Sequence, residues 1–166
     1  MALRTVREEG DEILRKVSRE VAVDEITGEK IQTLIEDMIE TMHHYNGVGL
    51  SAVQVGILKR VVVVDVEDGD IYVLINPKIL KAKGKKECDE GCLSFPNQFG
   101  KVLRPTEILV EYYNEKGEKV KLKAKDLLAQ AICHECDHLE GILFVDKVIS
   151  GTLEYVSPEK TNKKGE

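Results

Sequence analysis

The segment DLLAQAICHECDHLEG, Asp126–Gly141, reads as a helix, with Asp126 placed to cap its start and Gly141 just past its end. Residues four apart on a helix project from one face. His134 and His138 can therefore offer two imidazole nitrogens to one metal ion. Glu135 lies one step round, close enough to handle a water on that ion but poorly aimed to be a third ligand. This His-Glu-x-x-His spacing suits an ion that lowers the pKa of water and a carboxylate that moves the proton. Leu127 and Ala131 share the face of His134, and Gln130 falls on the same side. Asp137 is placed either to accept a hydrogen bond from an imidazole N–H or to be a solvated acid. Cys136 projects about 200° from His134 and Cys133 about 100°, so both read as packing residues.

Outward from this helix the chain reads as strands, preceded by one earlier helix. TGEKIQTLIEDMIETMHHYN spaces Ile31, Leu34, Ile35, Met38, Ile39 and Met42 as one apolar face. Thr27 is the expected N-cap, and Asn46-Gly47 the left-handed stop of a helix of about five turns. Before it, GDEILRKVSREV suggests a short helix or turn with Ile13, Leu14 and Val17 on one side. LKRVVVVDVED is a buried strand that turns at Gly69-Asp70 into IYVLINP. KILKAK is read as a further strand with a turn at 83–86 and an extended return to Pro96. TEILVEYYNEKGEKVKLKAKD alternates around Asn114–Gly117 as another hairpin, and ILFVDKVI is a short strand or extended tail. The fold class expected is α+β, with mixed or antiparallel sheets packed around a central C-terminal helix carrying the two histidines. Residues 1–150 read as a single catalytic domain and 151–166 as a polar tail.

The chain has 166 residues, of which 42% are hydrophobic and 33% charged, ordinary values for one globular domain. A net charge of −6 argues against nucleic acid as the main ligand. No apolar run approaches a membrane span, and the first sixteen residues are too charged for a secretory signal. The expected setting is the cytoplasm, as a monomer with no membrane attachment. There a domain of this size needs no disulfide between its four cysteines.

A third ligand must come from elsewhere. Glu154 and Glu159 lie at the downstream distance a zinc endopeptidase would use. Cys92 sits in EGCLS, where Gly91 lets the backbone approach closely and the thiolate is a strong ligand for iron or zinc. Cys88 shares a strand face with Cys92, so spacing leaves both open. A closed structural site holding Cys88 as a fourth ligand is a further possibility.

Three motifs, GVGLSAVQ, EGCLS and HECDH, stand in the order and at the separations of the peptide deformylase motifs GxGLAAxQ, EGCLS and HExDH, and the chain resembles that family from LRTV to GILFVDKVI. The resemblance implies removal of the formyl group from the N-terminal formyl-methionine of newly made proteins, with release of formate. It implies Cys92, His134 and His138 as metal ligands, with Cys88 excluded, and Glu135 as the acid/base beside a metal-bound hydroxide. Gln54 and the backbone N–H of Leu93 become the oxyanion donors. The ion implied is Fe2+, although Zn2+, Ni2+ or Co2+ suit the same ligands. The partner implied is a nascent formyl-Met polypeptide near the ribosome exit. Gly49 and Gly91 would border an extended peptide, and Val48, Leu127 and Ala131 would line the methionine pocket. Glu90 and Arg104 are expected as an ion pair behind the cysteine loop, with Asp137 in support. Ser51 and Cys133 depart from the usual alanine and glutamine. The chain after Asp146 is short for the C-terminal helix with which some members contact the ribosome.

Overall fold

The structure, a computed structural model, describes residues 2–156. Its strands are β1 (Gly49–Ser51), β2 (Val61–Val64), β3 (Tyr72–Lys83), β4 (Lys86–Cys92), β5 (Phe95–Arg104), β6 (Glu107–Tyr113), β7 (Lys119–Lys125) and β8 (Glu154–Tyr155). Two α-helices, α1 (Glu29–His44) and α2 (Asp126–Leu139), complete the frame together with short 3-10 turns.

The four valines of β2 are all buried. A strand without polar alternation needs cover on both faces of its sheet, and the two helices provide it. Val61 and Val63 pack with Ile31, Leu34, Ile35 and Met38 of α1. Val62 and Val64 pack with Ala129, Ile132, Cys133 and Leu139 of α2. Each fully buried aliphatic side chain contributes about 1.5–3 kcal/mol, so this sandwich fixes where α2 lies. The sheet runs β1-β2-β3-β6-β7, and a second sheet runs β4-β5-β8. Every ladder is antiparallel. Leu14, Phe95, Val102, Leu143 and Phe144 form a third core beside the smaller sheet. The expected α+β class, with antiparallel sheets around a C-terminal helix, is what the chain adopts.

Helix ends follow local chemistry. α1 stops in a left-handed Asn46 (φ 56), with Gly47 N–H bonded to the Met42 carbonyl. α2 stops at Gly141 (φ 74), whose N–H bonds the His138 carbonyl while Ile142 N–H bonds that of Asp137. The starts differ from expectation. Gly28, not Thr27, precedes α1 and offers no side-chain cap. Asp126 is the first residue of α2, in a left-handed conformation (φ 52), with its N–H on the Thr106 carbonyl.

Other expectations shift as well. IYVLINP and KILKAK, expected as two strands, form one twelve-residue strand, Tyr72–Lys83, with register shifts at 75/78 and 79/81. β5 extends well past Pro96, and its length pairs with β4 rather than ending in a loop. Val17 is 59% exposed, because a single 3-10 turn, Glu12–Arg15, buries Leu14 alone. The ILFVDKVI segment holds a 3-10 turn at Phe144–Asp146 and one bridge, Val148 to Val102. Past the boundary drawn at 150, β8 pairs with Gln98 and Phe99 of β5. The rest of the tail expectation, 157–166, lies outside the described residues. No helix among the described residues is long and apolar enough to cross a membrane.

Candidate metal centre

α2 presents His134 and His138 toward β4, whose last residue is Cys92. One ligand atom from each of the three lies within 4.8 Å of the others. Cys92 Sγ is 3.3 Å from His138 Nε2. Among the described residues this is the one grouping of three or more such side chains with metal-ligand geometry. Cys88 stays outside it, with its Sγ near the Lys86 carbonyl. The reason is a register shift between Gly91 and Cys92, which breaks the strand parity that would put both thiols on one face. Glu154 sits exposed in β8, away from the group, and Glu159 is outside the described residues.

One of the two imidazoles is held from behind, whereas His138 Nδ1 has no hydrogen-bond partner. His134 Nδ1 is 2.7 Å from Glu90 Oε1, which leaves Nε2 facing the group. Arg104 grips the same carboxylate twice, through Nε and Nη2 at 2.7 Å each, and reaches Asp137 Oδ2 through Nη1 at 2.8 Å. Glu90 and Arg104 are 6% and 2% exposed, so the expected pair is a buried one. Burial alone would raise the Glu90 carboxyl; Arg104 and His134 outweigh it and hold it down at about 2. Asp137 touches no imidazole. It accepts from Arg104 and Lys147, because its position on α2 faces β5. Glu90, not Asp137, is the carboxylate on a histidine ring.

His138 is 1% exposed, and burial followed by His134 holds it well below the usual imidazole range, so it is a neutral donor. Burial would lower His134 too, but Glu135, Cys92 and Glu90 carry it well above. Glu135 is 4% exposed and its Oε1 has no hydrogen-bond partner. Burial, opposed by His134, pushes its carboxyl up to about 7.

Gln54 arrives from the other side, in a 3-10 turn (Ala52–Val55) that follows β1. Its Nε2 donates to Ser94 Oγ at 3.0 Å and points at Cys92 Sγ at 3.5 Å. Its Oε1 accepts from Ser51 N–H at 3.0 Å and faces Ser51 Oγ at 3.1 Å. The Ser51 hydroxyl also acts on Glu135, so one proton has two acceptors. Sequence reasoning had noted Ser51 only as a departure, and Ser94 not at all. Gly49 is obligatory here, since a Cβ would lie 2.7 Å from Glu135 Oε2. At Gly91 a Cβ would lie 2.8 Å from the Phe99 ring.

The group opens into a cleft of about 730 Å³ lined by Val48, Gly49, Leu93, Leu127, Ala131 and Phe99 among others. Ala131 is buried, whereas Val48 and Leu127 are half-exposed and flank the mouth rather than the floor. Phe95, together with Phe99 in the part of β5 beyond the expected end at Pro96, adds aromatic walls. Gln130 also borders the cleft, and its Nε2 bonds the Asp89 carbonyl at 3.0 Å, tying α2 to β4. Cys133 and Cys136 pack in the core as expected, and burial pushes the Cys133 thiol up to about 11.

The family model described as polypeptide deformylase matches residues 3–153. A peptide deformylase of Acetivibrio thermocellus is 56% identical over 149 residues, covering 90% of this chain and 85% of that protein. One from Agathobacter rectalis is 52% identical over 163 residues, covering 98% of this chain and all of the relative. The crystal structure of the Thermotoga maritima peptide deformylase superimposes with a TM-score of 0.84 at 41% identity, over 89% of this chain and 98% of that one. A class I type b peptide deformylase from Acinetobacter baumannii, crystallised with Met-Ala-Ser bound, gives 0.85 at 33% identity over 88% and 98%. With the family model spanning nearly all of the described residues, and relatives above half identity along the same length, the chain belongs to the polypeptide deformylase family.

Proposed function

We propose that Cys92, His134 and His138 hold one divalent metal ion and that Glu135 moves the protons of the reaction. That reaction is the one this family performs: hydrolysis of the formyl group from the N-terminal formyl-methionine of nascent polypeptides, with release of formate. The observation that carries the residue roles is the meeting of one thiol and two imidazoles beside a buried carboxylate with an unpartnered oxygen.

The donor set fits an ion. His138 is neutral, His134 has one nitrogen engaged by Glu90 and the other directed inward, and the thiol completes a soft, three-sided site. When bound, the ion supplies Lewis acidity and eases ionisation of water. Fe2+ is the ion proposed in the cell, on family grounds; Zn2+, Ni2+ and Co2+ suit the same donors.

Glu135 takes the proton of the attacking water. As the C–N bond breaks it returns that proton to the leaving nitrogen, giving formate and a free amine. A carboxyl poised near 7 suits both directions of transfer. Gln54 Nε2, fixed at both ends of its amide, and Leu93 N–H donate to the oxygen that gains charge. β1 and β4 are each the outer strand of their sheet. Gly49 and Gly91 therefore leave backbone groups open to an extended formyl-Met peptide. Val48, Leu127 and Ala131, with the β5 aromatics, supply apolar surface for its methionine. We place the chain in the cytoplasm near the ribosome exit, acting as a monomeric catalytic domain over residues 1–150 with β8 added.

The test is formate release from formyl-Met-Ala-Ser by anaerobically purified protein loaded with Fe(II) or Ni(II). Turnover is expected, and Glu135→Ala should keep its metal while losing at least ~10²–10⁴-fold in rate. Absence of formate release from the metal-loaded protein would refute the functional reading; loss of metal in Glu135→Ala would refute its role.

A further inference from the structure

β3, β6 and β7 turn Ile108, Val110, Tyr112 and Ala124 toward α2. Their other face lies on the side of α1, but the α1 core reaches it only at Val73, Ile75 and the partly buried Tyr113. What remains open is read from the register. Lys83, Glu107 and Lys125 form one row; Lys81, Leu109 and Lys123 the next; Lys78, Glu111 and Lys121 a third; and Lys119 stands opposite Tyr113. Seven lysines therefore share one surface with two glutamates.

The glutamates do not neutralise it. Glu107 is shared by Lys83 at 3.1 Å and Lys123 at 3.8 Å, and Glu111 by Lys119 at 3.1 Å and Lys121 at 3.9 Å. Among the described residues no carboxylate lies within 4.0 Å of Lys78, Lys81 or Lys125. The face carries a net +5 on a chain of net −6, so the remainder carries −11. A molecule so divided presents this surface to a polyanion and turns the rest away.

We propose that this sheet face binds the phosphate backbone of RNA. Same-face side chains recur about every 6.7 Å along a strand, with strands about 4.8 Å apart, so the ammonium groups form a closely spaced array of point charges. Apart from Tyr113 the face offers nothing on which bases could stack, which makes the contact sequence-independent. An anionic membrane fits less well, because Leu109 and Tyr113 are its only sizeable apolar residues and both are half-buried. RNA is also the polyanion at hand if, as the proposed function has it, the substrate is a nascent chain near the ribosome exit; the choice of RNA rests on that reading. The metal group lies across the sheet, on the α2 side, so docking leaves the cleft free. Whole-chain charge concealed this surface.

The experiment is fluorescence anisotropy of a labelled 20-nucleotide oligouridylate titrated with the metal-loaded protein. Five net charges predict a slope of log K against log [salt] of about −3.5, or roughly a hundredfold weakening between 50 and 200 mM. The triple variant Lys81→Glu, Lys121→Glu, Lys123→Glu reverses the sign of the face and should lose binding by at least a hundredfold. Its formate release from formyl-Met-Ala-Ser should stay at the parent rate, which also reports an intact fold. Lys→Gln at the same three positions should give an intermediate loss. Salt-independent binding, unchanged binding by the triple variant, or equal binding of polyglutamate would overturn the proposal. So would binding to phosphatidylserine vesicles without binding to the oligonucleotide.

Discussion

Replacing Arg104 by methionine removes the cation on which the back of the metal group rests. The side chain is 2% exposed and donates three bonds of 2.7–2.8 Å, two to Glu90 and one to Asp137. Asp137 retains Lys147, but Glu90 keeps only His134 and the long contact from Gln130. Breaking a buried pair costs about 3–5 kcal/mol. A stranded Glu90 can escape by taking a proton, which from an ordinary value of 4.5 costs about 3.4 kcal/mol at pH 7. The two routes agree on a loss of about 3–4 kcal/mol, or a fall in Tm of about 7–15 °C.

The sign of the pH dependence follows from the same carboxyl. In the parent protein Glu90 is depressed to about 2, so its contribution is intact above 4.5 and lost only as pH falls toward 2. In the variant the carboxyl is raised, so the penalty is present at pH 7 and shrinks to about 0.7 kcal/mol of protonation cost at pH 5. Urea denaturation of the metal-loaded proteins at both pH values measures this directly. Lys101→Met, which breaks the exposed pair with Asp89, serves as control and should leave the midpoint in place. A buried Glu90–Arg104 pair of this worth is refuted if Arg104→Met behaves like that control, or if its loss is the same at pH 5 and pH 7.

Two further outcomes are expected. Ser51→Ala removes a hydroxyl from Gln54 Oε1 but leaves the Ser51 N–H in place, so kcat should fall by no more than about tenfold, the worth of one hydrogen bond. Gln54→Ala removes the proposed oxyanion donor and should cost about 10²–10³ in kcat with metal content unchanged, as read by elemental analysis.

The two helices and the pair of histidines were legible because a 3.6-residue period writes a buried face directly into the sequence. The valine run of β2 likewise announced a strand covered on both sides. Cys92 against Cys88 was not legible from spacing, because the deciding feature is a bulge at Gly91/Cys92 that leaves no compositional mark. For a similar reason Glu90 took the imidazole in addition to its expected Arg104, while Asp137 took Arg104 and Lys147. Which carboxylate reaches a ring depends on how β4 and β5 cross α2, and no local pattern encodes that crossing. The lysine face was diluted in the total charge and emerged only when strand register put residues from three strands side by side.

The ligand set is tested most directly by metal stoichiometry. Cys92→Ala and Cys88→Ala are loaded with Co(II) in parallel, desalted, and their metal content measured. Cys88→Ala is expected to retain one ion per chain and Cys92→Ala essentially none. Retention by Cys92→Ala together with loss from Cys88→Ala would contradict that ligand set.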